Sequence, residues 1–426
     1  METIIVLTII VTMGIMSGGL IALTLLAPPR TQNIFALMAA IGLLLGAAGV
    51  AVAALQSLPV ERGELLLATL ENTFNLVLAG GLGYAVTTFF VLNRRPAVGL
   101  DLPDRAAAQA AAGDGPAKIA VLYFVPGEPE QYDPVVLAAG LDTQDYRQSA
   151  RPTLLRPFTL YRLKHQYRAL GHSPLRTTHL HLAQKVQDRL GRRARVYICF
   201  YNDQPGLAEA AATAIREGAR MLVVLHARLT DPPPQLRVRD LLAPVRPERY
   251  GVAVVETAAQ WDSDLLPRLF VRRAQAAVPA EARDKVGLLL VGAGHPALGQ
   301  AVPGTPGADD VLRRQHQELT FQKRVRQALI RGGFHEDKVV IGWYAWQEPP
   351  VAGAQAQVLT EQPEALYWLA TGFPAPCLAT EVIIPARLRA AAPAPPAPAA
   401  TPLGPWGDDD LVAESLADQV KAVLPA

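Results

Sequence analysis

Two stretches of the chain, Lys118-Ile-Ala-Val-Leu-Tyr-Phe-Val-Pro-Gly127 and Lys285-Val-Gly-Leu-Leu-Leu-Val-Gly-Ala-Gly294, share one pattern: a lysine, an apolar run and a glycine. Apolar runs of this length, without polar alternation, are typical of strands buried on both faces of a parallel sheet. The pair therefore predicts the first strands of two related α/β halves.

The elements that follow these two stretches recur in the same order. Helix Thr178–Leu190 and strand Val196–Tyr201 follow the first stretch, and helix Leu319–Ile330 and strand Val339–Trp343 follow the second. Chance similarity explains one such unit, but three units in the same order favour a duplication. We therefore predict an α/β fold of two Rossmann-like parallel-sheet halves, with a cleft at the carboxyl ends of the strands.

The other predicted elements complete the alternation of strands and helices. They are the strands Ile119–Phe124, Met221–Leu225, Val252–Glu256 and Val286–Val291, the helices Leu207–Glu217 and Leu265–Ala277, a helix near Pro363–Trp368, and a last strand near the end.

The first part of the chain has the character of a membrane protein. Thr3 to Pro29, Ile34 to Pro59 and Asn72 to Asn93 carry no charge, and each is long enough to cross a hydrocarbon core of about 30 Å. A cleaved signal peptide is the alternative for the first stretch, but Met1 and Glu2 supply no basic residue before it. The sequence thus predicts three transmembrane α-helices, with Gly14 and Gly18 spaced for close helix packing.

Basic residues predict the orientation of these spans. Arg30 lies in the first short loop, and Arg94 and Arg95 follow the third span. Loops rich in Arg and Lys stay in the cytoplasm. We therefore expect a protein of the cell (inner) membrane with its N-terminus outside and its soluble region in the cytoplasm.

Charge and cysteine content exclude some classes of partner and cofactor. The 40 Lys+Arg and 38 Asp+Glu of the 426 residues give a net charge of +2, which is too even to indicate a nucleic-acid partner. Cys199 and Cys377 lie far apart, so they predict neither a disulfide framework nor an iron–sulfur cluster.

Shifts in composition divide the chain into segments. They are a membrane anchor at 1–95, a linker at 96–116, an N-terminal half at 117–245, a C-terminal half at 246–386, an Ala/Pro-rich linker at 387–405 and an amphipathic tail helix at 406–426. The sequence leaves open whether the tail docks on a partner or frays.

From about Lys118 to Ile384 the chain resembles the ferrochelatase family. Tyr167-Arg-Ala-Leu-Gly-His-Ser-Pro-Leu175 is similar to that family's Tyr-x-x-Ile-Gly-Gly-x-Ser-Pro-Leu turn, and Thr371-Gly-Phe373 and Gly218–Leu225 match in order. The resemblance implies two chelatase-type halves that hold a porphyrin, with Fe(II) and protoporphyrin as substrates and no covalently bound cofactor.

The resemblance also implies a histidine and a glutamate as the residues for catalysis and metal binding. Gly294 and Ala379 stand at the positions of these two residues, and His295 and Glu381 are the nearest side chains of the right type. We take His295 and Glu381 as the catalytic and metal-binding candidates. The alternative is a structural histidine in a turn and a solvated glutamate at a strand end.

Further residues at predicted strand ends are candidates for substrate binding, because aromatic rings stack on flat macrocycles. They are Tyr123, Tyr201, His226, Trp343 and Tyr344. The alternative for the aromatic residues is packing against the covering helices.

Three functions remain open at this point. The first is a membrane-bound chelatase of haem biosynthesis, and the second is a non-catalytic tetrapyrrole-binding or structural subunit of a membrane complex. The third is a related cobalt or nickel chelatase. The expected partners are membrane lipid, a tetrapyrrole and, for the second function, other subunits bound through the transmembrane helices and the tail.

Overall fold

The computed structural model describes residues 2–56, 62–92, 100–112, 118–138, 153–201, 203–233, 236–295, 306–392 and 398–424. The chain forms two compact units that interleave in sequence. Unit 1 comprises Met1–Ala97 and Gln131–Gly171, and unit 2 comprises Val98–Glu130 and His172–Ala426.

The helices and strands have the following bounds in chain order. The helices are α1 Glu2–Leu26, α2 Pro29–Gln56, α3 Arg62–Leu92, α4 Arg105–Ala112, α5 Arg156–Leu170, α6 Leu175–Leu190, α7 Leu207–Arg216, α8 Val238–Leu242, α9 Leu265–Ala277, α10 Pro306–Arg331, α11 Val351–Thr360, α12 Ile384–Ala391 and α13 Asp410–Val423. The strands are β1 Lys118–Val125, β2 Ala194–Phe200, β3 Ala219–His226, β4 Ala253–Glu256, β5 Gly287–Gly292, β6 Val339–Trp343, β7 Leu366–Leu369 and β8 Ala400–Pro402.

Unit 1 contains the three predicted apolar helices. The stretches Ile4–Leu26, Pro29–Leu55 and Leu66–Leu92 are long and apolar enough to cross a membrane. Helices α1 and α3 approach with their backbones in contact, because a Cβ on Gly18 would lie 1.8 Å from the carbonyl oxygen of Gly80. Small residues are what allow such close packing where lipid supplies no hydrophobic drive.

Unit 2 contains two four-stranded parallel sheets, with strand orders β2-β1-β3-β4 and β6-β5-β7-β8. The two orders are the same when the strands are counted within each half. The apolar stretches that open the two halves form the interior strands β1 and β5, and every residue of β5 is buried. The predicted α/β class with two parallel-sheet halves is therefore confirmed.

The two sheets share one apolar core. It joins residues of β1 and β3 to residues of β5 and to the helices α6, α9, α10 and α13. Separate clusters cover the other faces of the sheets, built on α7 for the first sheet and on α11 and α12 for the second. Each sheet is thus covered on both faces, as its continuous apolar strands require.

The tail helix α13 belongs to this shared core. The Asp409 carboxylate accepts the backbone N–H of Leu411 at 3.0 Å and caps the helix. Val412, Leu416 and Val420 are buried along one face. The apolar face of the tail is therefore occupied within unit 2.

The helix predicted near Pro363–Trp368 is wrong. Residues 366–369 form β7, which lies between β5 and β8, and the helix of this region is α11 at Val351–Thr360. A short apolar run fits a buried strand and a buried helix equally well, so its pattern alone does not decide between them. The Ala/Pro-rich stretch also contains a strand, β8, where Pro402 is tolerated because β8 is an edge strand.

The two ends of the unit 2 chain that flank residues 131–171 lie side by side. The backbone N–H of Ser173 donates to the carbonyl oxygen of Glu130 at 2.9 Å.

Candidate functional site

A histidine and a glutamate meet at the carboxyl end of β5. His295 follows the strand, and its Nε2 lies 3.2 Å from Oε2 of Glu318 on α10, a separation without hydrogen-bond geometry. The Glu318 carboxylate is fixed from the other side, since it accepts the backbone N–H groups of Ala293 at 2.7 Å and of Gly294 at 3.1 Å. The strand end and the helix therefore hold the pair together.

The inner face of α10 explains how Glu318 comes to be buried. Phe321, Val325 and Leu329 pack in the shared core at helical spacing. The first half of the same stripe is polar but equally buried, with Arg314, Gln317, Glu318 and Gln322. A run of four buried polar residues on a helix face is unusual, so this part of α10 is a candidate site.

Burial sets the protonation of the pair. It raises the pKa of Glu318 to about 7, against the two backbone donors that act to lower this pKa. Burial, together with the charges of Arg314 and Arg228, lowers the pKa of His295 to about 3. The imidazole is thus neutral at pH 7 and resists protonation, whereas Glu318 is close to its midpoint, so Glu318 is the member of the pair suited to accepting and releasing a proton.

The loop after β3 brings residues of the first half to the same place. The side-chain N–H of Gln317 donates to Oδ2 of Asp231 at 2.8 Å, and the backbone N–H of Asp231 donates to Oε1 of Gln317 at 3.0 Å. The guanidinium of Arg228 lies over the ring of Tyr201, 5.6 Å from its centroid. Both halves therefore contribute side chains around His295 and Glu318, and Arg228 adds positive charge.

A second buried carboxylate joins the two halves. Glu128, in the loop after β1, accepts the hydroxyl of Ser173 and the backbone N–H of Leu378, the latter at 3.1 Å. Burial raises the pKa of Glu128. Cys377 lies beside it with a pKa raised to about 12, first by burial and then by the charge of Glu128, so this thiol is not a reactive nucleophile.

Glu381 lies away from His295, and no contact described for either residue joins the two. It is exposed, in the turn Ala379–Ile383, and its Oε1 accepts the hydroxyl of Thr380 at 3.1 Å. It borders a cavity with Trp368, Leu388 and Arg389. The carboxylate beside His295 is therefore Glu318.

Two of the predicted substrate-binding residues are buried in polar pairs. Tyr123 has no exposed surface, and its hydroxyl lies 3.1 Å from Nδ1 of His179 inside the shared core. His226 ends β3, and its Nε2 lies 2.9 Å from Oε2 of Glu256 at the end of β4. Tyr123 is thus enclosed in the shared core.

The other three aromatic residues lie at strand ends. Trp343 is 4% exposed, and its ring covers Gly292, where a Cβ would lie 2.4 Å from the ring. Tyr344 is half-buried between Phe373 and Arg387, with the Arg387 guanidinium 4.7 Å from the ring centroid. Tyr201 is half-buried, with its ring edge-on to that of Phe124. Tyr201 and Tyr344 are the two that keep exposed surface.

The donor set is small for a resident metal ion. In the described parts of the chain, no group of three or more His, Cys, Asp and Glu side chains could hold a metal ion. His295 and Glu318 together offer two ligands, fewer than the four of a structural zinc site.

Comparisons with known proteins give a limited result. No protein-family model matches the sequence, and no curated protein matches it. Among solved structures, "SirB from Bacillus subtilis with Fe3+" has 12% sequence identity and a TM-score of 0.46, over 71% of this chain and 94% of that chain. A similarity of this degree assigns neither family nor activity, and the fold class rests on the two sheets themselves.

Proposed function

We propose that the protein is a membrane-anchored chelatase-like protein that handles a tetrapyrrole at the carboxyl ends of its strands. The buried pair of His295 and Glu318 is the observation that carries the proposal. The resemblance of residues 118–384 to ferrochelatases supplies the substrate class, with protoporphyrin and Fe(II) as the first candidates.

Metal insertion requires an acceptor for the pyrrole N–H protons that the metal ion displaces. The neutral imidazole of His295 can present a ring nitrogen to the metal ion, but its pKa of about 3 disfavours uptake of a proton at pH 7. Glu318 is the group beside it that can take up or release the proton, since its pKa of about 7 makes both forms accessible. In this proposal the metal ion is a substrate and not a resident cofactor.

The membrane helices give the proposal a location. Three helices long and apolar enough to span a membrane precede the sheets. With Arg30 on the cytoplasmic side, the chain that follows the third span enters the cytoplasm. The membrane that anchors it is also where an apolar macrocycle partitions.

A second candidate function is a non-catalytic tetrapyrrole-binding or structural subunit of a membrane complex. Two observations favour it: Gly294 and Ala379 replace the catalytic residues expected from the resemblance, and the His295 and Glu318 side chains are only 15% and 1% exposed. Such a subunit would bind its partners through the apolar faces of the transmembrane helices.

The test uses the full-length protein in detergent micelles. Protoporphyrin is added and its Soret band followed, and the insertion of Fe(II), Co(II) and Ni(II) is measured separately. For a chelatase we expect a Soret shift at micromolar protein and an insertion rate that His295→Ala and Glu318→Gln abolish. Glu381→Gln is the matched control and should leave this rate unchanged.

The outcomes separate the candidates. A Soret shift without insertion of any of the three metals supports the non-catalytic subunit. Insertion that survives His295→Ala removes the pair from the mechanism. No Soret shift at all would overturn tetrapyrrole handling.

A further inference from the structure

Helix α5 packs against the ends of the apolar helices of unit 1. Leu160 lies in a buried cluster with Leu26 and Leu92, the last residues of α1 and α3. The ammonium of Lys164 is buried and donates to the carbonyl oxygens of Thr24 at 2.9 Å and Ala27 at 3.0 Å. Lys164 therefore caps the C-terminal end of α1, where carbonyl groups lack helical partners and the helix dipole favours a cation.

The start of α5 lies deeper along the spans. The hydroxyl of Tyr84 donates to the carbonyl oxygen of Leu154 at 2.8 Å, and the Tyr84 and Phe158 rings are 6.3 Å apart. Tyr84 precedes Leu92 by eight residues, or about 12 Å along the axis of a helix. The first turn of α5 and the residues before it thus lie beside the membrane-spanning part of α3.

Three exposed side chains at this depth are apolar. Leu154, Leu155 and Phe158 are 45%, 50% and 53% exposed. Exposed leucines and a phenylalanine so close together are unfavourable in water, but they are the ordinary surface of a helix in contact with lipid.

The same face of α5 becomes polar further along the helix. Residues 155, 158, 162, 165 and 169 share a face at helical spacing, and after Phe158 this face carries Arg162 and His165, both exposed. Polarity that changes along a helix axis is expected of a helix that enters a bilayer obliquely. A helix lying flat on the surface would instead separate its polar and apolar residues around its circumference.

We propose that α5 is embedded in the lipid leaflet at the Leu26 and Leu92 end of the spans. Leu154, Leu155 and Phe158 contact acyl chains, and Arg162 contacts lipid phosphate groups. Helix α5 is then a fourth element in contact with the membrane, which does not span the bilayer and is separated from the third span in sequence.

The proposal is tested by nitroxide labelling of single cysteines in the full-length protein reconstituted into bilayers of phosphatidylcholine and phosphatidylglycerol. Labels are placed by Leu155→Cys, Phe158→Cys and Ala169→Cys, all at exposed positions. Leu44→Cys, 70% exposed on α2, is the lipid reference. Cys199 and Cys377 are buried, and the wild-type protein measures their background labelling.

Collision rates with oxygen and with a water-soluble nickel complex are compared at each label. We expect the ratio of oxygen to nickel collisions at residues 155 and 158 to approach that of the Leu44→Cys reference and to exceed that at residue 169 several-fold. Ratios at both positions equal to the ratio at residue 169 would overturn the proposal. Because two independent positions are read, loss of one variant leaves the test intact.

Discussion

The Oε1 atom of Glu128 accepts the backbone N–H of Leu378 at 3.1 Å, which ties the loop after β1 to the loop after β7 across the two halves. The Ser173 hydroxyl donates to the same carboxylate, so the loop before α6 is held as well. Three segments distant in sequence thus depend on one side chain.

Replacement of this side chain should loosen the contact between the halves. Glu128→Ala leaves two buried donors without an acceptor, which costs about 1–3 kcal/mol. We expect the Leu378 amide to exchange its hydrogen about tenfold faster or more, measured by hydrogen–deuterium exchange. Glu130→Ala is the matched control. Residue 130 accepts the Ser173 N–H through its backbone carbonyl, so this hydrogen bond is retained in the variant. Unchanged protection of Leu378 in Glu128→Ala would contradict the role given to this carboxylate.

Glu318 should make stability depend on pH. Its pKa rises from 4.5 to about 7 on folding, so the native state binds more protons between these values. The contribution of Glu318 to the free energy of unfolding is therefore largest below pH 4.5. It falls by about 3 kcal/mol as the pH rises to 7. His295, with its lowered pKa, acts in the opposite direction below pH 6.5. The effect of Glu318 is therefore measured as the difference in the free energy of unfolding between wild type and Glu318→Gln, because His295 is present in both proteins.

The measurement is unfolding of the full-length protein in micelles, followed by tryptophan fluorescence. All five tryptophans belong to unit 2, so the signal reports this unit alone. We expect wild type to lose stability relative to Glu318→Gln between pH 4.5 and 7. Parallel pH curves would show that the carboxyl group is not perturbed.

Tyr123→Phe separates core packing from substrate binding. The variant leaves Nδ1 of His179 without its partner in the core, at a cost of about 1–3 kcal/mol in the stability of unit 2. In a His179→Leu background the same change should cost less, since the pair is already broken. Tetrapyrrole affinity should stay the same in Tyr123→Phe, and a clear loss of affinity would return Tyr123 to the binding site.

The tail helix should be needed for the stability of unit 2. Leu416 is fully buried, so Leu416→Ala should lower the free energy of unfolding by about 2–5 kcal/mol. Glu414 is exposed on the same helix, and Glu414→Ala should change the free energy of unfolding by about 0.5 kcal/mol or less. Equal effects of the two variants would mean that α13 does not pack as described. Tryptophan fluorescence again supplies the signal.

Most of the fold could be predicted from the sequence because apolar runs of strand length carry the necessary information. The runs at Lys118 and Lys285 identify β1 and β5, and the recurrence of the following elements identifies the two halves. Prediction failed at β7, where four residues are too few for periodicity to separate a strand from a helix. The sequence predicted a last strand without bounds, and residues 387–405 were assigned as a linker because the three residues of β8 include a proline and pair only at an edge.

The candidate site was less predictable, because it depends on contacts between distant residues. His295 could be found from its position after a strand, but its partner Glu318 lies on a helix that the family resemblance did not point to. A signal was present: Arg314, Gln317, Glu318 and Gln322 continue the buried apolar stripe of α10 at helical spacing. Whether such residues are buried can be judged only when the apolar half of the stripe has been recognised first.

Residues 131–171 belong to unit 1, although the chain on either side of them belongs to unit 2. The hydrogen bond from the Ser173 amide to the Glu130 carbonyl shows that the two flanking ends meet. Cutting the chain after the third span would leave Leu154, Leu155 and Phe158 exposed and would remove Leu26 and the α1 carbonyls that Lys164 binds, so the remaining fragment should be poorly soluble in water. A short glycine bridge from residue 130 to residue 173, combined with removal of the three spans, would delete this stretch and keep the residues of all eight strands.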